Sequence, residues 1–166
     1  MILVITGVAG AGKSTVGERV AERLGWPFLE ADEFHPEASR RKMEGGVALT
    51  EEDRGPWLES MAAAIRAVGN AAVVSCSCLR ESHRDRLGEA AEDVRFVHLR
   101  IDPETARERV EGRSRHFFDV DLVDSQFDAL EEPTDGPVLD ATRPVEELVD
   151  ELVERARSAE RERPSG

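Results

Sequence analysis

A chain of 166 residues with a 40% apolar content is long enough for one hydrophobic core and too short for two ordinary domains. Its net charge of −13 leaves no surplus of cations to displace counterions from nucleic-acid phosphate, so a nucleic-acid partner is not expected. The longest apolar runs, residues 1–8 and 71–74, fall short of the ~20 residues of a membrane span. No positive region precedes the first run, so neither a signal peptide nor a membrane partner is expected, and the cytoplasm is the expected compartment.

The run Ile2-Leu3-Val4-Ile5-Thr6 reads as a strand buried on both faces. Ser14 to Leu24 carries Val16, Val20, Ala21 and Leu24 at helical spacing and stops at Gly25. Phe28-Leu29-Glu30 is a second strand, and Pro36 to Met43 a short helix. Thr50 and Asp53 form an N-cap pair that opens a helix from Glu51 to about Val68. Ala71 to Ser75 is a third strand, Glu81 to Leu87 a helix, and Val94 to Leu99 a fourth strand. Asp102-Pro103-Glu104 supplies an N-cap, an N1 proline and an early acid for a helix reaching about Gly112. Asp121 to Leu130 is helical, Val138-Leu139 a fifth strand, and Pro144 to about Ala156 an amphipathic helix. Alternating strands and helices predict an α/β fold with a five-stranded parallel sheet covered on both faces. One domain spans residues 1–157, and 158–166 form a charged, frayed tail.

Gly7-Val8-Ala9-Gly10-Ala11-Gly12-Lys13-Ser14 matches the P-loop pattern, between a strand and a helix as that motif requires. Its glycines let successive N–H groups turn toward a bound anion, and the helix N-terminus adds a favourable dipole. Gly7, Ala9, Gly10, Ala11, Gly12, Lys13, Ser14 and Thr15 are therefore the candidate nucleotide contacts. Lys13 is placed to reach the β- and γ-phosphates, and Ser14 to ligate Mg²⁺. The motif is silent about the phosphoryl acceptor.

Lys13 and Lys42 are the only lysines, and neither stands in the Asn-Lys-x-Asp segment by which GTPases read guanine. The strand at 71–74 runs into Ser75-Cys76-Ser77-Cys78, which offers no Walker B carboxylate. The two cysteines have no partner set for zinc and read as buried, reduced thiols. Asp32, just beyond the second strand, is the candidate acid, at the sheet edge where ligands of open α/β sheets bind.

At Asp32-Glu33-Phe34-His35-Pro36 the sequence begins to resemble the small P-loop gluconokinases of the thermoresistant type. The likeness continues through Lys42-Met43-Glu44-Gly45, residues 49–58, residues 75–80 and His83-Arg84-Asp85. It resumes at His116-Phe117-Phe118, Ser125-Gln126-Phe127 and residues 130–133, in family order from Met1 to about Leu152. Cys78, Arg80 and His83 stand where that family commonly has alanine, lysine and tyrosine, and Arg115 where glycine is usual. The resemblance implies the fold of shikimate and nucleoside monophosphate kinases, with a mobile lid about 113–130. It also implies ATP and Mg²⁺ as cofactors, gluconate as acceptor and a homodimer.

In that light Asp32 either takes the acceptor hydroxyl's proton or holds Mg²⁺ through water. Arg109 and Arg113, four apart on one helix, would stack on adenine and reach the phosphates. Arg54 and Arg84 are candidates to grip a carboxylate in bidentate fashion, and His35 and Lys42 to bind polyol hydroxyls or carboxylate. His116 is expected to order the lid, His98 to be structural, and Trp57 and Phe117 to pack. Two other readings stand beside this one. A kinase for another small acid or nucleotide is one, although Glu30-Ala31-Asp32 and Cys76-Ser77-Cys78 stand where shikimate kinases carry Asp-x-Asp and a glycine run. A catalytically silent nucleotide-binding module is the other.

Overall fold

The structure, a computed structural model, describes residues 1–112 and 120–162. Its strands are β1 (Ile2–Thr6), β2 (Phe28–Glu30), β3 (Ala72–Ser75), β4 (Val94–Arg100) and β5 (Val138–Asp140). They form one sheet in the order β2-β3-β1-β4-β5, every neighbouring pair parallel. β1 is central, its five residues buried, with Ile2 opposite Ala72 on one side and Val94 on the other.

Strand side chains alternate between faces, so β1 feeds two separate cores. Leu3 and Ile5 join Val73, Val97 and Leu99 against α1 (Lys13–Leu24), α5 (Pro103–Glu111) and α7 (Val145–Arg161). Ile2 and Val4 join Ala72 and Val74 against α3 (Glu51–Val68) and α4 (Glu81–Gly88). This is the α/β sheet covered on both faces that the alternation predicts.

The helices begin and end where local chemistry dictates. Thr50 and Asp53 form a reciprocal capping box on α3, and Asp102 caps α5 through the Thr105 N–H, with Pro103 at the first helical position. Gly25 ends α1 at a φ of 70°, where its N–H bonds the Ala21 and Glu22 carbonyls. Between β2 and α2 (Glu37–Glu44) lies a 3₁₀ turn over Ala31–Phe34 that the apolar pattern does not announce. α7 continues to Arg161, past Ser158 where the expected tail begins. Ala156 and Ala159 on this helix pack with Met1, Leu24 and Trp26. That contact joins the two ends of the chain, and local sequence carries no sign of it. α6 (Val120–Ala129) buries Leu122 and Val123 and follows residues 113–119, which lie outside the described residues. No helix among the described residues is long and apolar enough to cross a membrane.

Candidate active site

β1 delivers the chain to the phosphate loop at the carboxyl edge of the sheet, and α1 carries it away. Gly10 has a φ of 85°, and a Cβ there would lie 2.7 Å from the Ala106 carbonyl oxygen; at Gly7 the corresponding approach is 2.8 Å to the Leu99 oxygen. The loop is thus pressed against β4 and α5 by backbone that only glycine permits. α1 starts at Gly12 with no side-chain cap and no acid in its first turn, unlike α3 and α5. Its first N–H groups and its dipole therefore favour an anion. Lys13 Nζ donates to the Val8 carbonyl at 3.0 Å, across the loop. Ala11 N–H turns back to Val8, and Gly7 N–H to the Ser77 carbonyl. Thr15 is exposed on the first turn of α1.

The Ser14 hydroxyl donates to the Glu30 carboxylate at the end of β2 and lies 3.5 Å from the Ser75 hydroxyl. Glu30 also accepts from the Asp32 N–H at 3.3 Å. Burial pushes the Glu30 pKa up, the Asp32 charge adds to this, and the Ser14 bond and Lys13 work against it. A hydroxyl and a carboxylate of this kind are hard oxygen donors that suit Mg²⁺, which keeps several waters and takes the rest of its shell from substrate phosphate. Sequence reasoning did not single out Glu30. Its signal was present, since residues 30 and 32 bracket one alanine at a strand end.

Asp32 lies on the 3₁₀ turn with its side chain 61% exposed and faces a narrow cleft open to solvent. Arg54, Trp57, Ser77, Ser125 and Gln126 line the same cleft, with Met43, Leu49 and Leu79 supplying apolar wall. His35 also lines it, its side chain 6% exposed and stacked on Trp57 at 4.5 Å between ring centroids. Trp57 donates to the Ala31 carbonyl at 2.7 Å and so fixes that stack to the turn. Burial lowers the His35 pKa, opposed by Asp32 3.8 Å away, and Nδ1 has no hydrogen-bond partner among the described residues. A neutral imidazole with a free ring nitrogen can serve a hydroxyl in either sense.

Arg54, only 14% exposed, is held by Glu51 at 2.5 Å. Arg80 and the buried His83 meet the same carboxylate, at 3.2 and 2.9 Å. Two departures from the family pattern thus converge on one acid beside the cleft. The remaining candidates are placed differently. Lys42 binds both Asp53 oxygens at 2.8 and 2.9 Å, which holds the Asp53 carboxyl down at about 2 and ties α2 to the start of α3. Arg84 donates through one nitrogen to the carbonyls of Cys78 and Glu131, clasping two loops together. Neither lies among the described residues that line the cleft. Arg109 donates to the carbonyls of Gly10 and Ala141, which puts its guanidinium between the phosphate loop and the turn after β5. Arg113, Arg115, His116 and Phe117 lie outside the described residues.

His98 is buried on β4 and shares a 3.0 Å hydrogen bond with Thr6; burial takes its pKa down to about 4. Cys76 and Cys78 are free, buried thiols, and Cys78 donates to Cys76 at 3.3 Å.

The site is therefore a phosphate cradle meeting a cleft with one exposed carboxylate and one partly buried guanidinium. Known proteins share this framework. A family model described as an AAA domain matches residues 2–137. The thermoresistant gluconokinase of Escherichia coli K12 is 35% identical over 92% of this chain and 91% of its own length. The chain belongs to the gluconokinase family. Within that family, the crystal structure of a gluconokinase from Sinorhizobium meliloti 1021 superposes with a TM-score of 0.86 at 39% identity, over 96% of this chain and 93% of the other. Outside it, shikimate kinase from Aquifex aeolicus shares the fold, with a TM-score of 0.65 at 18% identity over 96% and 98% of the two chains. The architecture is a P-loop kinase fold, and such a fold implies ATP as the nucleotide.

Proposed function

We propose that the chain transfers the γ-phosphoryl group of ATP to D-gluconate, giving 6-phospho-D-gluconate and ADP. The observation that carries the reading is the continuity from Ser14 through Glu30 to Asp32, which joins the phosphate cradle to the acid of the cleft. Family membership supplies the identity of the acceptor.

The C6 hydroxyl oxygen attacks the γ-phosphorus, the bond to the ADP oxygen breaks, and the hydroxyl proton passes to Asp32. Such a transfer is catalysed almost wholly by position and by neutralised charge. Ser14 and Glu30, with Asp32 beside them, are the residues that would hold Mg²⁺, which when bound would neutralise phosphate charge. Lys13 and the α1 N-terminus take the β- and γ-phosphates, in a cradle formed by Gly7, Ala9, Gly10, Ala11, Gly12, Ser14 and Thr15. Arg54 meets the gluconate carboxylate, kept extended by Glu51, and His35 serves a polyol hydroxyl. Arg109 lies along the nucleotide, and Arg113 approaches the phosphates from the lid expected at about 113–130, of which the α6 part is seated in the core through Leu122 and Val123. A single kinase domain over 1–157, working in the cytoplasm as a homodimer, belongs to the same reading.

The alternative is a related small hydroxy acid as acceptor, with the same cradle and the same acid. ADP release across a panel of gluconate, other sugar acids, shikimate and nucleoside monophosphates separates the two. Gluconate is expected to give the largest kcat/KM. Turnover with another acceptor and none with gluconate would remove the substrate assignment and keep the kinase.

A further inference from the structure

One hydrogen bond in the site is not accounted for by that chemistry. The N–H of Ala9, inside the phosphate loop, donates to Oε1 of Gln126 at 2.7 Å, across 117 residues of sequence. An N–H group can bond only the oxygen end of a carboxamide, so the orientation of Gln126 follows from the contact itself. Loop N–H groups of this motif turn toward a phosphate anion, and here a neutral side-chain oxygen occupies one of them. Gln126 also lines the acceptor cleft with Asp32, Arg54 and Ser77. It therefore touches both halves of the site, at the boundary that a transferred phosphoryl group must cross.

The helix that carries it is anchored elsewhere. Leu122 and Val123 of α6 are buried, Phe127 packs on the core with α1 and α7, and Asp124 accepts from Arg107 of α5 at 2.8 Å. The side chain can turn without the helix moving. A phosphate oxygen accepts a charge-assisted hydrogen bond about twice as strong as one to a neutral amide, so it outcompetes Gln126 for the Ala9 N–H. Once released, the carboxamide offers two donors and an acceptor to a cleft built for a polyhydroxylated ligand.

Resting on the proposed kinase reading, we propose that Gln126 is a displaceable cap on the phosphate cradle that becomes an acceptor ligand when the terminal phosphate of the nucleotide displaces it. Binding of nucleotide triphosphate and of acceptor are thereby coupled through one side chain. ADP, which lacks the displacing group, leaves the cap in place.

Calorimetric titration of ADP and of a non-hydrolysable ATP analogue, each with Mg²⁺, and then of gluconate onto each complex, tests this. In the unaltered chain gluconate binds at least about fivefold tighter to the analogue complex than to the ADP complex, the lower end of ordinary coupling. Gln126→Ala keeps analogue affinity and brings that ratio to about one, because the hydrogen bond to be displaced and the ligand to be gained vanish together. Gln126→Glu still accepts from Ala9 but sets a charge against the terminal phosphate. It weakens the analogue about tenfold or more and leaves ADP nearly unchanged. A Gln126→Ala protein that weakens ADP and analogue alike, or that keeps the full ratio, overturns the proposal. So does a Gln126→Glu protein that treats the two nucleotides equally. Thermal unfolding of each variant is measured alongside; Gln126→Glu is nearly isosteric and decides the matter if Gln126→Ala does not fold. The nucleotide arm uses no acceptor, so failure of the gluconate assignment in the ADP-release panel is distinguishable from failure of the cap.

Discussion

Glu30 and Asp32 are two residues apart and differ in everything their surroundings impose. Glu30 is partly buried, accepts from Ser14, and has its pKa raised chiefly by desolvation. Asp32 is exposed in the cleft, 3.8 Å from His35. The proposed function divides their roles accordingly, with Glu30 on the metal side and Asp32 on the acceptor side. Glu30→Gln should raise the Mg²⁺ concentration for half-maximal rate by about 10-fold to 100-fold, the usual cost of losing a metal-site carboxylate. Asp32→Asn should lower kcat by about 10² and leave the Mg²⁺ requirement and ADP affinity in place. Mg²⁺ dependence measured for both variants decides it, and a shift in Asp32→Asn alone would reverse the roles. Asp32, Arg54 and Arg84 stand out in the sequence as charged groups in recognisable blocks; the first two line the cleft, and Arg84 clasps two loops. Glu30 does not stand out. Whether an arginine meets a ligand or two carbonyls, as Arg84 does, depends on long-range placement of loops that meet only in the folded chain.

At the level of elements, the phosphate loop is as much a packing joint as a binding loop. Gly10 lies against α5 so closely that a Cβ would sit 2.7 Å from the Ala106 oxygen, and its φ is 85°. Gly25, at the end of α1, has a comparable φ of 70° but nothing within 4 Å. Gly25→Ala should therefore cost only the left-handed penalty of about 1–2 kcal/mol and spare nucleotide binding. Gly10→Ala carries that strain plus a backbone clash and should cost about 3 kcal/mol or more, with ADP affinity lost. Denaturant unfolding paired with ADP titration measures both. Equal losses would mean that the loop's seat on α5 is softer than this geometry requires. The strands and most helices were readable in advance, because two-sided burial and capping chemistry are local signals: Ile2 to Thr6 and the Thr50–Asp53 pair are the clearest. The 3₁₀ turn at Ala31–Phe34 and the last turn of α7 were not. The turn is fixed by Trp57 bonding the Ala31 carbonyl, and the helix end by Ala156 and Ala159 packing with Met1.

Across the whole molecule, a charge of −13 surrounds a site meant for two anionic substrates. The histidines among the described residues do not relieve this at neutral pH. His35, His83 and His98 all have their pKa lowered from 6.5, in each case first by burial, and so stay neutral there. The sign of the consequence is fixed. A histidine with a folded pKa below 6.5 takes up its proton more readily when unfolded, so stability is full above 6.5 and is lost as pH falls toward the folded value. For His98, with a folded pKa of about 4, the loss accumulates between 6.5 and 4 and reaches about 3 kcal/mol. Glu30, with a raised pKa, acts in the opposite direction above 4.5. Comparing unfolding free energy against pH for the unaltered chain and for His98→Asn isolates the first effect. The difference between them should change by about 3 kcal/mol over that window, and a constant difference would mean that His98 titrates normally.

The proposed reaction ends with the phosphoryl group on the primary hydroxyl of gluconate. Phosphorus NMR of the product formed from ATP, Mg²⁺ and gluconate tests it in one spectrum. A new phosphomonoester resonance split by the two protons of a CH₂ group, growing in step with ADP, is expected. A resonance split by a single CH proton, or ADP accumulating with inorganic phosphate and no ester, would contradict it.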